Sequence, residues 1–266
     1  MRQSHIIFNL FATVIVSASW FGIVSVWKMT HEVSAVDPVV ARIPEIPRVT
    51  PTVVITKTVV PPTTLPTVIG TTEATTSTNF PVEMNLSVPF TSQAPEKNWD
   101  EPWQNACEEA AVLMVDAYAK GYNVSPLFAK DEILKMVAWE EENNFGTSID
   151  YEKVKQLFLF YSGKNFSIKV IEDPNIEQIK NFISEKKPVL VLADGKVLPN
   201  PHFQSGGPVY HALVIRGFTK DSFITNDPGT QFGENFVYKY DDLMNAIRDW
   251  NGGNVKNGKK VVLVVE

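Results

Sequence analysis

Tyr210-His211-Ala212-Leu213-Val214-Ile215-Arg216-Gly217-Phe218-Thr219-Lys220-Asp221-Ser222-Phe223-Ile224-Thr225-Asn226-Asp227-Pro228 reads as two strands joined by a tight turn. Apolar runs at 211–218 and 222–227 flank Thr219-Lys220-Asp221-Ser222, which has the composition of a hairpin turn. A two-residue Lys220-Asp221 turn sets Thr219 opposite Ser222 and Ile215 opposite Asn226. Side-chain alternation then puts Asn226 on the His211 face and Asp227 on the other. A one-residue bulge, or the strand simply ending, reverses that assignment. The hairpin thus offers one histidine and two acceptors for its imidazole, Asn226 and Asp227, and the residues alone leave both open.

Working outward, Pro188-Val189-Leu190-Val191-Leu192-Ala193 reads as a buried central strand, preceded by a candidate at 166–172. Further strands are expected at 236–240 and 261–265, with a short helix over 241–250 between them. Upstream the period changes to 3.6. Ala106, Ala110, Leu113, Met114 and Ala117 predict a helix over 106–120 with Gly121 at its C-cap. Helices are also expected from Pro126 to Glu141, from Ser148 to Tyr161, and from an Asp173-Pro174 start to Glu185. Helices first and a mostly antiparallel sheet second describes an α+β fold.

Cys107 is the chain's one cysteine, and it falls where the first helix begins. A thiol there faces unpaired backbone N–H groups and the positive end of the dipole, which favour the nucleophilic thiolate. Glu108 and Glu109 also bring negative charge close to it. One Cys, then a His about a hundred residues on, then an Asp or Asn is an order compatible with nucleophilic acyl transfer. The α+β layout puts the cysteine on a helix end and the histidine on a strand end, facing each other across two layers.

Bulk properties narrow the alternatives. A net charge of -6 with 24 scattered basic residues is unlike the clustered footprint of a nucleic-acid binder. One cysteine excludes an intrachain disulfide and a multi-cysteine zinc site. His5, His31, His202 and His211 show no metal spacing, so no metal or other cofactor is expected. Gly253-Asn254-Val255-Lys256-Asn257-Gly258-Lys259 mimics a phosphate-binding loop, but Lys260 replaces the Ser/Thr and a strand follows. It reads as a surface loop, and no nucleotide partner is expected.

The first third is different in kind. Ile6 to Trp27 is a nearly unbroken apolar run of 22 residues, which as a helix rises ~33 Å, enough for a hydrocarbon core of roughly 30 Å. The expected organisation is a cytoplasmic tail at 1–5, a signal anchor at 6–27, a Pro/Thr-rich linker at 28–82 and a globular domain at 83–266. Val33-Ser34-Ala35 leaves signal cleavage and secretion as the alternative. Either way the domain is expected outside the cytoplasm. Repeated prolines between Val36 and Phe80 favour an extended, disordered stalk, which would hold that domain off a membrane.

Val88-Pro89-Phe90-Thr91-Ser92-Gln93, Cys107-Glu108-Glu109-Ala110-Ala111, Tyr210 to Phe218 and Asn226-Asp227-Pro228-Gly229 together resemble the bacteriocin-processing, double-glycine-leader type of cysteine peptidase. More closely, they resemble its stand-alone bacterial relatives in the papain-like clan, over roughly residues 83–266. The resemblance implies a papain-like fold in which Cys107 is the nucleophile, His211 the general base and acid, and Asp227 the group orienting the imidazole. It also implies a glutamine that stabilises the oxyanion with the Cys107 N–H. Gln93 matches the family position, although Ala94 to Trp103 widen its gap to the cysteine; Gln104, three residues before the thiol, is the competitor. The expected substrate is a peptide or protein, cell-wall peptide included; the alternatives are a peptidoglycan amidase or endopeptidase or a transacylase on the same fold, or a non-catalytic membrane-tethered binding module.

Overall fold

Every residue from Cys107 to Ala117 is buried in α1 (Cys107–Lys120). A helix buried on all sides must be surrounded, and its alanines at 110, 111 and 117, with Ala106 just before it, allow close approach. The computed structural model describes residues 81–163 and 165–266. The expected tail, the anchor at 6–27 and the linker up to residue 80 lie outside them. Among the described residues, no helix is long and apolar enough to cross a membrane.

α1 packs on one side against α2 (Pro126–Glu142) and α3 (Tyr151–Ser162). It also packs against the sheet strands β3 (Val189–Ala193) and β4 (His211–Phe218). Ile133 and Met136 of α2 and Val154, Leu157 and Phe158 of α3 fill the space around it. The start of each outer helix is set locally. Ser125 accepts from the Phe128 N–H before Pro126, and Asp150 accepts from the Lys153 N–H. The third helix therefore begins at Tyr151, later than the expected 148, because Asp150 is its cap. Gly121 ends α1 at φ 73°, the left-handed value that a C-cap glycine supplies.

The sheet also includes β1 (Met84–Asn85), β2 (Ile168–Glu172), β5 (Ser222–Asn226), β6 (Phe236–Lys239) and β7 (Val261–Val265). Its order is β2-β7-β3-β4-β5-β6, with β1 paired to the far end of β4, and every pairing is antiparallel. All residues of β3 and β4 are buried, so the sheet is covered on both faces there. α1 and α4 (Ile176–Ser184) both pack on these two strands. The α+β class with an antiparallel sheet is as expected.

Two boundaries differ from expectation. α4 starts after Asn175, not at Asp173-Pro174. Asn175 and Gln178 form a reciprocal capping box, while Asp173 sits at φ 45° in the turn before it. The last helix, α5 (Tyr240–Ala246), is shorter than 241–250 because Ile247 leaves it to bridge Ala193 at the end of β3.

The register of the hairpin decides the site. Phe218 faces Phe223 and Gly217 faces Ile224, but Ile215 faces Thr225 and Val214 faces Asn226, so Arg216 is a bulge. Each residue beyond it has moved by one position, which exchanges the faces of the strand. Thr225 and Asp227 now share a face with Ile215, Leu213 and His211. Arg216, almost wholly buried, holds the bulge by donating to the Leu86 carbonyl from Nε at 2.9 Å and to Asn226 Oδ1 from Nη1 at 3.0 Å.

Candidate active site

Asp227 follows the last residue of β5 and its carboxylate is wholly buried. Oδ1 lies 2.7 Å from His211 Nε2 and accepts the Gly229 N–H at 3.0 Å. Oδ2 accepts from Tyr238 Oη at 2.6 Å and Asn200 Nδ2 at 3.0 Å. Burial alone would raise this carboxyl. The His211 charge and the donors around the two oxygens outweigh it and hold the group below its ordinary value. An ionised Asp227 requires Nε2 to carry the ring proton, which leaves Nδ1 of a neutral imidazole as the acceptor. Nδ1 is buried and has no hydrogen-bond partner among the described residues.

Asn226, the alternative from the simple register, faces the other way. Its Nδ2 donates to the Val88 and Pro89 carbonyls at 3.1 Å, and its Oδ1 accepts from Arg216. It fastens the incoming N-terminal segment to the hairpin. That segment continues to Gln93, whose N–H donates to the Pro228 carbonyl at 3.0 Å. Gln231 secures the same stretch by donating to Ser92 Oγ and the Ala94 carbonyl.

Gln93 is buried, with Nε2 donating to the Trp103 carbonyl at 2.9 Å and Oε1 unpartnered among the described residues. It bridges the loop after Asp227 and the turn before α1, which closes the long sequence gap to Cys107. Gln104 is exposed and donates to Glu101 Oε1. Both glutamines line a cavity of about 360 Å³ with Trp99, His202, Phe203 and Gly229. Trp103, in contrast, is core. The Phe203 ring stands edge-on to His211 at 5.3 Å, and His202 tilts against the exposed Phe232 at 4.8 Å. Gly229 allows the loop to lie against the imidazole: a Cβ there would sit 2.8 Å from His211 Cε1.

Cys107 is the first residue of α1 and is buried. Its Sγ donates to Glu108 Oε2 at 2.8 Å. The expectation that the helix end favours thiolate is corrected here. Burial, then the Glu108 carboxylate, then the Glu109 charge push the thiol well above its ordinary value, against the opposing pull of the Ala212 backbone. Asn200 and Tyr238, which hold Asp227, are not legible as its partners in the sequence. A polar loop residue and a strand tyrosine carry no signal of that kind until the fold brings them together.

A larger cavity of about 860 Å³ lies beside Glu109 and Glu140, away from His211. Burial and the surrounding carboxylates, Glu140 foremost, push Glu109 well up, and burial followed by the Glu108 charge raises Glu140 to about 8. A raised carboxyl stabilises the fold fully below its unfolded value, and that contribution is lost as pH rises through about 8. Glu140→Gln is therefore expected to flatten the decline in thermal midpoint between the ordinary carboxylate range and about pH 8. It should stabilise the protein by on the order of 2 kcal/mol near pH 8.5. Parallel midpoint-against-pH curves for the two proteins would contradict this.

A family model described as the Peptidase_C39 like family matches residues 85–254, well over half of the chain. Among solved structures, a candidate C39-like peptidase from Bacillus anthracis is similar at 16% identity and TM-score 0.46, covering 69% of this chain and 98% of its own. The cysteine protease CMS1MS2 from Carica candamarcensis, solved with E-64, is similar at 11% identity and TM-score 0.29, over 69% and 97%. No curated protein matches the chain. The family match carries the assignment: the chain belongs to the Peptidase_C39-like family and is a cysteine-type peptidase.

Proposed function

We propose that the protein is a papain-like cysteine peptidase, tethered to the membrane by residues 6–27, that hydrolyses peptide bonds outside the cytoplasm. Cys107 is the nucleophile, His211 the general base and acid, Asp227 the residue that orients the imidazole, and Gln93 the side-chain donor to the oxyanion. The observation that carries this reading is the buried 2.7 Å contact between Asp227 and His211 Nε2, which leaves Nδ1 unpartnered among the described residues.

In this mechanism Nδ1 of His211 takes the Cys107 proton as Sγ attacks the scissile carbonyl carbon. The oxyanion is held by the Cys107 N–H and the Gln93 amide. The tetrahedral intermediate collapses as the imidazolium returns the proton to the leaving amine, and an acyl-thioester remains. Water, deprotonated by His211, then attacks the thioester, releasing a carboxylic acid and restoring the thiol. The test is digestion of a peptide library and of purified cell-wall material, with acid quenching during turnover. Mass spectrometry is expected to find an acyl adduct on Cys107. Hydrolysis that proceeds at full rate with no acylation of Cys107 would overturn the assignment. Membrane fractionation of the full chain tests the tether, which fails if the protein is recovered entirely in the soluble fraction.

A further inference from the structure

We infer that Glu108 is a positioning residue of this peptidase: its carboxylate holds the proton of the resting Cys107 thiol and keeps the nucleophile neutral until the sulfur is turned to His211. The inference rests on the reading of Cys107 and His211 as nucleophile and base.

The contact is not one that a helix makes by default. Neighbours at i and i+1 point in different directions around a helix, yet Cys107 Sγ and Glu108 Oε2 are 2.8 Å apart. The carboxylate is held there from outside the helix. Its other oxygen, Oε1, accepts the Ile149 N–H at 3.1 Å, and the Ile149 carbonyl accepts Tyr210 Oη at 2.9 Å. Tyr210 directly precedes His211, so one short bridge ties the carboxylate to the entrance of β4. Glu108 is 2% exposed. Removing a carboxylate from water is costly, and an apolar side chain would serve packing at least as well.

The titratable groups that interact with the sulfur are Glu108 and Glu109 from α1 and Tyr210 from the residue before β4, while the His211 charge acts on Glu108. Behind them, Glu140 acts on Glu109 and Asp249 on Tyr210. Of these groups, Glu108 is the one that takes the thiol hydrogen bond, while His211 Nδ1 is left without a partner among the described residues. The resting arrangement thus separates the proton from the base that must receive it. A neutral thiol resists alkylation and oxidation, and reactivity appears only when the sulfur rotates from carboxylate to imidazole.

Glu108→Gln tests this in the full-length protein. Gln Oε1 still accepts from the Ile149 N–H, while the amide nitrogen now donates toward sulfur. Alkylation of Cys107 by iodoacetamide is expected to shift to lower pH, with a rate at pH 7 about tenfold or more above the parent. Superimposable pH profiles would overturn the proposal. A measurement on the unaltered protein covers the case in which the variant fails to fold. Thiolate absorbance near 240 nm, read against Cys107→Ala, is expected to be absent at pH 7, and its presence there would equally overturn the proposal. His211→Asn in the Glu108→Gln background separates the two readings. It should remove the gain below pH 7, and an unchanged profile would refute the Cys107–His211 pairing while leaving the Glu108 result to stand by itself.

Discussion

Cys107→Ala is expected to lower kcat/KM for peptide hydrolysis by roughly 10⁴-fold or more, because the acyl-thioester can no longer form. The fold should tolerate the change. Cys107 sits at the first turn of α1 among buried alanines, and the substitution removes one sulfur without placing a new polar group in the core. It also leaves Glu108 with its Ile149 N–H contact. The thermal midpoint should therefore correspond to a stability change within about 1 kcal/mol. Hydrolysis surviving at a substantial fraction of the parent rate in a well-folded Cys107→Ala protein would remove Cys107 from the mechanism.

Asp227 is where catalysis and stability are expected to fall together. Asp227→Ala deletes the acceptor of four contacts and leaves Tyr238 Oη, Asn200 Nδ2 and His211 Nε2 in a dry interior. Removing one partner of a buried charged pair costs about 3–5 kcal/mol. Asp227→Asn isolates the chemistry. Asn200 Nδ2, whose amide oxygen is taken by the His202 N–H, and the Gly229 N–H can only donate, so an Asn amide nitrogen meets a donor whichever way it is turned. With that nitrogen facing His211, Nε2 must accept, and the ring proton moves to Nδ1, where the base is needed. A fall in kcat of roughly 10²- to 10⁴-fold is expected, with a smaller loss of stability than in Asp227→Ala. The same carboxylate governs acid behaviour. Its folded value is depressed, so its stabilisation is present above the unfolded value and is lost as pH falls through the folded one. Asp227→Asn should remove that part of the acid-side decline in midpoint, and an unaltered acid limb would show that the carboxylate is not the group responsible.

The elements that were readable from the residues are those specified locally. Pro126 after Ser125, Gly121 after the α1 alanine pattern, and the Val-rich runs at 189–193 and 261–265 each name their own structure through a cap, a left-handed residue or continuous burial. Boundaries were lost where two local signals competed. Asp173-Pro174 reads as a helix start, but the Asn175/Gln178 capping box satisfies more backbone groups. β1 was not anticipated because its two residues, Met84 and Asn85, have no pattern of their own and are strand only through pairing with Phe218 and Gly217.

By itself, then, the chain's residue order determined an α+β class, a cysteine on a helix end and a histidine opening a strand, since each of these follows from nearest-neighbour preferences and hydrophobic period. The tertiary structure decided which acceptor meets the imidazole and which group meets the thiol. Strand faces depend on register parity, and the buried Arg216, paid for by the Leu86 carbonyl and Asn226, inserts one residue that turns Asp227 inward and Asn226 outward. The Glu108 contact depends on Ile149, forty-one residues away along the chain. Neither fact is encoded in any window of sequence, because both are set by hydrogen bonds between segments that meet only once the sheet and α1 have packed.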